Sequence, residues 1–167
     1  VVSTSRFYDT LPLVLPGAAE EQPSYLNAVI VVESALPPLS MLAALQQIER
    51  DLGRDRASEE VRWGPRIIDL DIVAVGDLTL SVPGLTIPHP EMHKRRFVLE
   101  PMLEVAAEWI HPTLHADVQT LLDALPVDAP GAFDRGVRDR IDELFGTRVR
   151  VRGPVAQIAI GDRRDEC

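Results

Sequence analysis

The chain has 167 residues, 46% of them apolar, which suffices to bury the core of one compact domain. Its 26 acidic against 17 basic residues give a net charge of −9, and this excludes a general nucleic-acid binder, whose affinity comes from a basic face. A lone cysteine, Cys167, excludes an internal disulfide, and without a membrane-length apolar run or a signal peptide the expected location is cytoplasmic.

Val1 to Tyr8 reads as a strand, and its start at Val1 rather than Met leads us to expect a missing beginning. A loop marked by Pro12, Pro16, Gly17 and Pro23 follows, then a β-branched strand from Tyr25 to Val32. From Pro38 to Leu52, Leu42, Leu45, Ile48 and Leu52 recur at helical spacing, and Gly53 supplies a stop. Arg54 to Pro65 is charged and aperiodic, as expected of a mobile loop. Ile67 to Val75 alternates as a strand, with Asp69, Asp71, Val73 and Val75 on one face and Ile68, Leu70, Ile72 and Ala74 on the other.

Gly76-Asp77 turns into a short strand near Leu78 to Ser81, and Pro83 to Pro90 reads as a rigid loop. Helical pieces are expected at Arg95–Leu99, Pro101–Ala107 and Asp117–Leu125. Strands with helices between them favour an α+β sandwich. A linker, Pro126 to Gly131, separates residues 1–126 from a C-terminal extension, 127–167. There an amphipathic helix, Phe133 to Phe145, precedes a β-hairpin of Arg148–Arg152 and Val155–Ile160; both have apolar faces to dock on the same core.

Residues 1–126 carry the whole −9, yet their basic residues, Arg6 aside, gather in two clusters, Arg50 to Arg66 and Lys94 to Arg96. An acidic protein that concentrates its cations this way is expected to hold an anionic ligand between them. Asp69 and Asp71, at i and i+2 on a strand, project from one face within reach of a common cation. Such hard oxygen ligands suit Mg²⁺, which completes its octahedron with phosphate and water; a solvent-facing pair on an edge strand is the plainer alternative. Arg62 and Arg66 offer planar donors to phosphate, Arg54 and Arg56 extend that cationic loop, and Trp63 is placed to pack over a ligand as part of a lid. An ordinary solvated loop would have the same composition. His89, fixed between Pro88 and Pro90, can present its imidazole to a phosphate beside Arg95 and Arg96. Zinc readings of His89 with His93, or His111 with His115, are poor because Pro90 and Pro112 interrupt the helices they need, and His111 and His115 read as surface or capping residues. No Walker loop, Rossmann fingerprint or serine-nucleophile elbow is present.

The run Arg62-Trp63-Gly64-Pro65-Arg66-Ile67-Ile68-Asp69-Leu70-Asp71-Ile72 closely resembles the signature of the 6-hydroxymethyl-7,8-dihydropterin pyrophosphokinase family. So do Ile87-Pro88-His89-Pro90 with Arg95 and Phe97, Phe7-Tyr8-Asp9-Thr10, and Tyr25-Leu26-Asn27-Ala28, in the family's order over residues 1–125. The resemblance implies a ferredoxin-like α/β sandwich with a mainly antiparallel sheet, and transfer of the β,γ-pyrophosphoryl unit of ATP to the dihydropterin, releasing AMP on the route to folate. It implies that Asp69 and Asp71 hold two Mg²⁺ ions, that Arg54, Arg56, Arg66 and Trp63 belong to loops closing on the phosphates, and that Glu49, Arg62, His89 and Arg95 contact ATP. It further implies a pterin held between Tyr25 and Phe97, with Asn27 and Thr10 on its edge, and leaves room for association with other folate-pathway enzymes.

Two departures stand out. Family members carry a strand, a glycine-containing turn and a helix before the equivalent of Val1, and Val14 stands where they usually have glycine. Ile158-Ala159-Ile160-Gly161-Asp162 faintly resembles that opening strand and turn, so the tail either fills its place or is a plain extension. An active pyrophosphokinase, a non-catalytic homologue that binds nucleotide or pterin or serves as a partner subunit, and a structural module are the three readings to separate.

Overall fold

The structure, a computed structural model, describes residues 1–10, 25–54, 68–126 and 155–163. Its main sheet is antiparallel throughout and has five strands: β1 (Ser3–Thr4), β2 (Tyr8–Thr10), β3 (Tyr25–Glu33), β4 (Ile68–Val75) and β7 (Val155–Arg163). The spatial order is β1-β3-β7-β4, with β2 also on β3. A two-stranded ribbon of β5 (Leu80–Val82) and β6 (Leu85–Ile87) stands apart. Helices α1 (Pro38–Asp51), α2 (Arg96–Ala106) and α3 (Val118–Asp123) complete an α+β domain. Among the described residues, no helix is long and apolar enough to cross a membrane.

The sheet buries both faces. On one, Val29 and Val73 meet Val98, Leu99 and Met102 of α2 and Val118, Leu121 and Leu122 of α3. On the other, Leu70 and Ile72 meet Met41 and Leu45 of α1 and Leu85 and Ile87 of the ribbon. Helix α1 starts at a proline, whose missing N–H costs nothing at that position, and ends just before Gly53 at φ 94°. Its buried stripe is Met41, Leu45 and Glu49, at strict i, i+4, i+8 spacing. The stripe expected from apolar residues alone is therefore rotated: Ile48 and Leu52 are 46% and 54% exposed.

Several boundaries differ from those expected. The opening strand is broken in two because the register to β3 gains one residue between Thr4↔Ile30 and Tyr8↔Asn27. Ser5 spans the irregularity: its N–H donates to the Val29 carbonyl and its Oγ accepts from the Val29 N–H, both at 2.9 Å. In β4 the pairing with β7 also slips, between Ile72 and Ala74. That bulge flips the alternation, so Val75 packs on the Leu70 face instead of staying with Asp69 and Asp71. The expected loop Pro83 to Pro90 contains β6, since Pro83-Gly84, with Gly84 at φ 84°, forms the two-residue turn of a hairpin. The two pieces expected around Pro101 join into one helix, α2, with Pro101 buried inside it.

At the C-terminus, β7 pairs along its whole length with β3 and, from Ala156 to Asp162, with β4. Both of its edges are thus taken within the sheet. The expected helix 133–145 and the expected first hairpin arm, 148–152, lie outside the described residues.

Candidate active site

Strand β4 carries the carboxylate pair. Asp69 and Asp71 precede the bulge, so they share the face on which Val73 packs, and both are partly exposed, with the Asp69 side chain at 31%. Asp69 is held from behind. Arg54 Nη1 donates to Asp69 Oδ1 at 2.7 Å, to the Ile68 carbonyl at 3.1 Å and to Glu49 Oε1 at 2.6 Å. The same Glu49 oxygen accepts the Leu70 N–H at 2.8 Å. Side-chain exposures of 4% for Arg54 and 1% for Glu49 make this a buried ion pair joining the end of α1 to the start of β4. The Arg54 N–H donates to the Glu49 carbonyl at 2.9 Å, so the chain leaving Gly53 folds directly back over the helix end. Arg54, expected on a mobile loop facing phosphates, is therefore an interior residue, and Glu49, expected beside the nucleotide, lies behind the carboxylate strand.

The bulge in β4 also positions His89. It leaves the Val73 carbonyl to accept the His89 N–H at 2.8 Å, tying the Pro88-His89-Pro90 segment to the carboxylate strand. His89 Nδ1 accepts the Glu91 N–H at 3.1 Å, so in the neutral ring the proton sits on Nε2, the nitrogen left to donate. Burial, and then the Arg95 guanidinium, hold its pKa down at about 4, with Asp69 near enough to oppose them weakly. His89 is therefore a neutral donor at pH 7. Arg95 stands at the N-terminus of α2, its guanidinium carbon 5.8 Å from the centre of the Phe97 ring. His89 also lines an open, largely apolar groove of about 420 Å³ together with Ser81, Thr86, His93 and His111.

On the neighbouring strands, Asn27 Nδ2 donates to Thr10 Oγ1 at 2.7 Å and to the Tyr25 carbonyl at 3.3 Å, with Thr10 itself buried. The pairing Tyr8↔Asn27 and Thr10↔Tyr25 sets this cluster at the end of β3, and Asn27 lies on the same face as Asp69 because both oppose Gly161. Helix α2, which starts beside Phe97, packs across β3.

The structure thus brings Glu49, Arg54 and Asp69 into contact, places His89 and Arg95 beside them, and joins Thr10, Tyr25 and Asn27 into a second cluster. Arg56, Arg62, Trp63 and Arg66 lie outside the described residues. Among the described residues no group of three or more His, Cys, Asp or Glu is arranged as a metal cage. Two adjacent, partly exposed carboxylates remain the donor set that fits Mg²⁺, an ion that takes few protein ligands and leaves the rest to water and phosphate. His111 behaves as a turn cap, its Nδ1 accepting the N–H groups of Thr113 and Leu114 at 3.3 Å. Sequence reasoning missed the coupling of Glu49 to Arg54; the signal was Glu49 completing the Met41-Leu45 stripe at i+4, a charge at a core position that demands a partner.

Comparison with known proteins bears on what this arrangement serves. Residues 1–107 match the family described as 7,8-dihydro-6-hydroxymethylpterin-pyrophosphokinase (HPPK). The chain is 43% identical over 112 residues to the 2-amino-4-hydroxy-6-hydroxymethyldihydropteridine pyrophosphokinase of Haemophilus influenzae, covering 67% of this chain and 66% of that protein. It is 39% identical over 108 residues to the protein of that name from Bacillus subtilis, covering 65% and 60%. Over 126 residues it is 39% identical to the folic acid synthesis protein fol1 of Schizosaccharomyces pombe, covering 75% of this chain but 16% of that one. The matched stretch spans less than two thirds of the length of each of these relatives.

Proposed function

The chain belongs to the 7,8-dihydro-6-hydroxymethylpterin-pyrophosphokinase family, and on that premise we propose that it transfers the β,γ-pyrophosphoryl group of ATP to 6-hydroxymethyl-7,8-dihydropterin, giving the pterin diphosphate and AMP for folate synthesis in the cytoplasm. The observation that carries this reading is the Asp69-Asp71 pair on β4 with a neutral His89 and Arg95 beside it, all within the matched residues. The sheet, with β7 inside it and helices over both faces, supports a ferredoxin-like sandwich in which residues 127–167 dock on the core of 1–126.

Asp69 and Asp71 are the residues that would hold two Mg²⁺ ions, which supply charge neutralisation to the ATP phosphates. The Nε2–H of His89 donates to a phosphate oxygen without adding a second full charge, while Arg95 supplies one. Arg54 acts through Asp69, fixing its carboxylate from inside the fold, and Glu49 balances the Arg54 charge; both are positioning residues. Arg56, Arg62 and Arg66 bind phosphate from the segment after Arg54, with Trp63 as part of a lid. Thr10, Tyr25, Asn27 and Phe97 hold the pterin, the two aromatic rings by stacking and Asn27 by its amide. Pyrophosphoryl transfer asks little covalent chemistry of the protein, so in-line placement of the pterin hydroxymethyl group and charge neutralisation do most of the work.

The test is AMP release from ATP, Mg²⁺ and the dihydropterin by the full chain. We expect Mg²⁺-dependent turnover, and Asp69→Asn to lower kcat by at least ~100-fold while the KM for pterin moves by less than ~3-fold. Binding of ATP or pterin without AMP release would instead favour a non-catalytic partner subunit.

A further inference from the structure

We infer that the C-terminal strand β7 is a working part of the active site: it is the seam that holds the pterin-side strand β3 and the carboxylate strand β4 at their catalytic spacing. The inference rests on the function proposed above. Strands β3 and β4 do not pair with each other; each pairs with β7. All nine residues of β3, from Tyr25 to Glu33, oppose Arg163 to Val155, and β4 opposes the other edge from Ile68↔Asp162 to Val75↔Ala156. Among the described residues, the backbone ladder from Asn27 to Asp69 therefore runs through β7.

The register places the site rows one by one. Asn27, Gly161 and Asp69 form one row, and Val29, Ala159 and Asp71 form the next row on the same face. With strands ~4.8 Å apart, Asn27 and Asp69 stand ~10 Å apart across β7, a gap that suits a flat ring on one side and phosphates on the other. Gly161 leaves the centre of the first row without a side chain, and Ala159 leaves the second with a methyl. Glycine inside a central strand weakens the strand, and its usual reason is close approach by a ligand or another backbone. Ile158 and Ile160 occupy the alternate register positions, opposite Ile72 and Leu70. The two site rows thus cross β7 at glycine and alanine, as a seam under a cleft requires.

Two substitutions in the full chain test this. Ala159→Pro removes a ladder N–H from the middle of β7 and should lower kcat/KM by at least ~100-fold. Hydrogen exchange at β3 and β4 should accelerate together, and a synthetic peptide of residues 153–167 added in trans should restore both protection and turnover where a scrambled peptide does not. Gly161→Val should leave that exchange protection in place and raise the KM for pterin by at least ~10-fold, since a branched side chain then fills the row between Asn27 and Asp69. Native turnover in Ala159→Pro overturns the inference. So does native turnover in Gly161→Val with native exchange, which decides the matter even if the proline variant cannot fold or be rescued. If the unaltered chain releases no AMP, the proposed function fails, whereas the exchange of Ala159→Pro with and without peptide still reports on the seam.

Discussion

Replacing Arg54 by methionine tests the buried network under the carboxylate strand. Methionine keeps roughly the length and apolar stem of arginine but removes the guanidinium that touches Glu49 at 2.6 Å, Asp69 at 2.7 Å and the Ile68 carbonyl at 3.1 Å. The two carboxylates do not weigh equally. Asp69 is 31% exposed, so water takes over much of what Arg54 gave it, and that half is worth ~1 kcal/mol or less. The Glu49 side chain is 1% exposed, and taking the Arg54 guanidinium from so deeply buried a carboxylate costs about 3–5 kcal/mol. For a chain of this size that lowers Tm by roughly 10 °C. The double variant Glu49→Gln, Arg54→Met removes both charges and keeps an amide oxygen for the Leu70 N–H, so it should recover to within ~2 kcal/mol of the native chain. Urea unfolding of the four proteins, followed by tryptophan fluorescence, closes the double-mutant cycle; we expect a coupling of at least ~2 kcal/mol at unchanged m. An Arg54→Met cost below ~1 kcal/mol, or a double variant as unstable as the two singles added, would refute the reasoning.

His89 and helix α1 give two further predictions. Because the folded pKa of His89 is about 4 against about 6.5 unfolded, the unfolded chain takes up a proton first as pH falls. His89 should therefore cost up to ~3 kcal/mol of stability as pH falls from about 6.5 to 4, and His89→Asn, whose oxygen can still accept the Glu91 N–H, should flatten that part of the urea-midpoint profile; equal acid sensitivity in both proteins would count against a buried neutral imidazole. In α1, Leu45→Ala should cost about 2–5 kcal/mol and Ile48→Ala under ~1 kcal/mol, since Leu45 is 7% and Ile48 46% exposed; thermal melts showing the reverse order would mean that the helix presents its other face.

Much of the site was legible in the chain because it depends on local geometry. Alternation along β4 places Asp69 and Asp71 together whatever packs on the strand, and prolines on both sides of His89 restrict it wherever it stands. The same local reasoning failed where a second element decides. Ile48 and Leu52 look like core in a helical wheel, but the face that α1 turns inward is set by Leu70 and Ile72 beneath it and by the pairing of Glu49 with Arg54. A charged stretch after Gly53 reads as solvated until its first arginine is seen to have two carboxylates to reach.

Sequence by itself determined the chemistry: which carboxylates, histidine, arginines and aromatic rings are available, and the family whose pattern they fit. The tertiary structure alone decided that Val155 to Arg163 lies between β3 and β4, that a bulge at Val73 releases a carbonyl for His89, and that Arg54 points inward. The physical reason is range. Periodicity and turn chemistry act over a few residues, whereas strand order and the partner of a buried charge are chosen among segments far apart in sequence, by which pairing buries the apolar face and leaves no backbone group or charge unmatched.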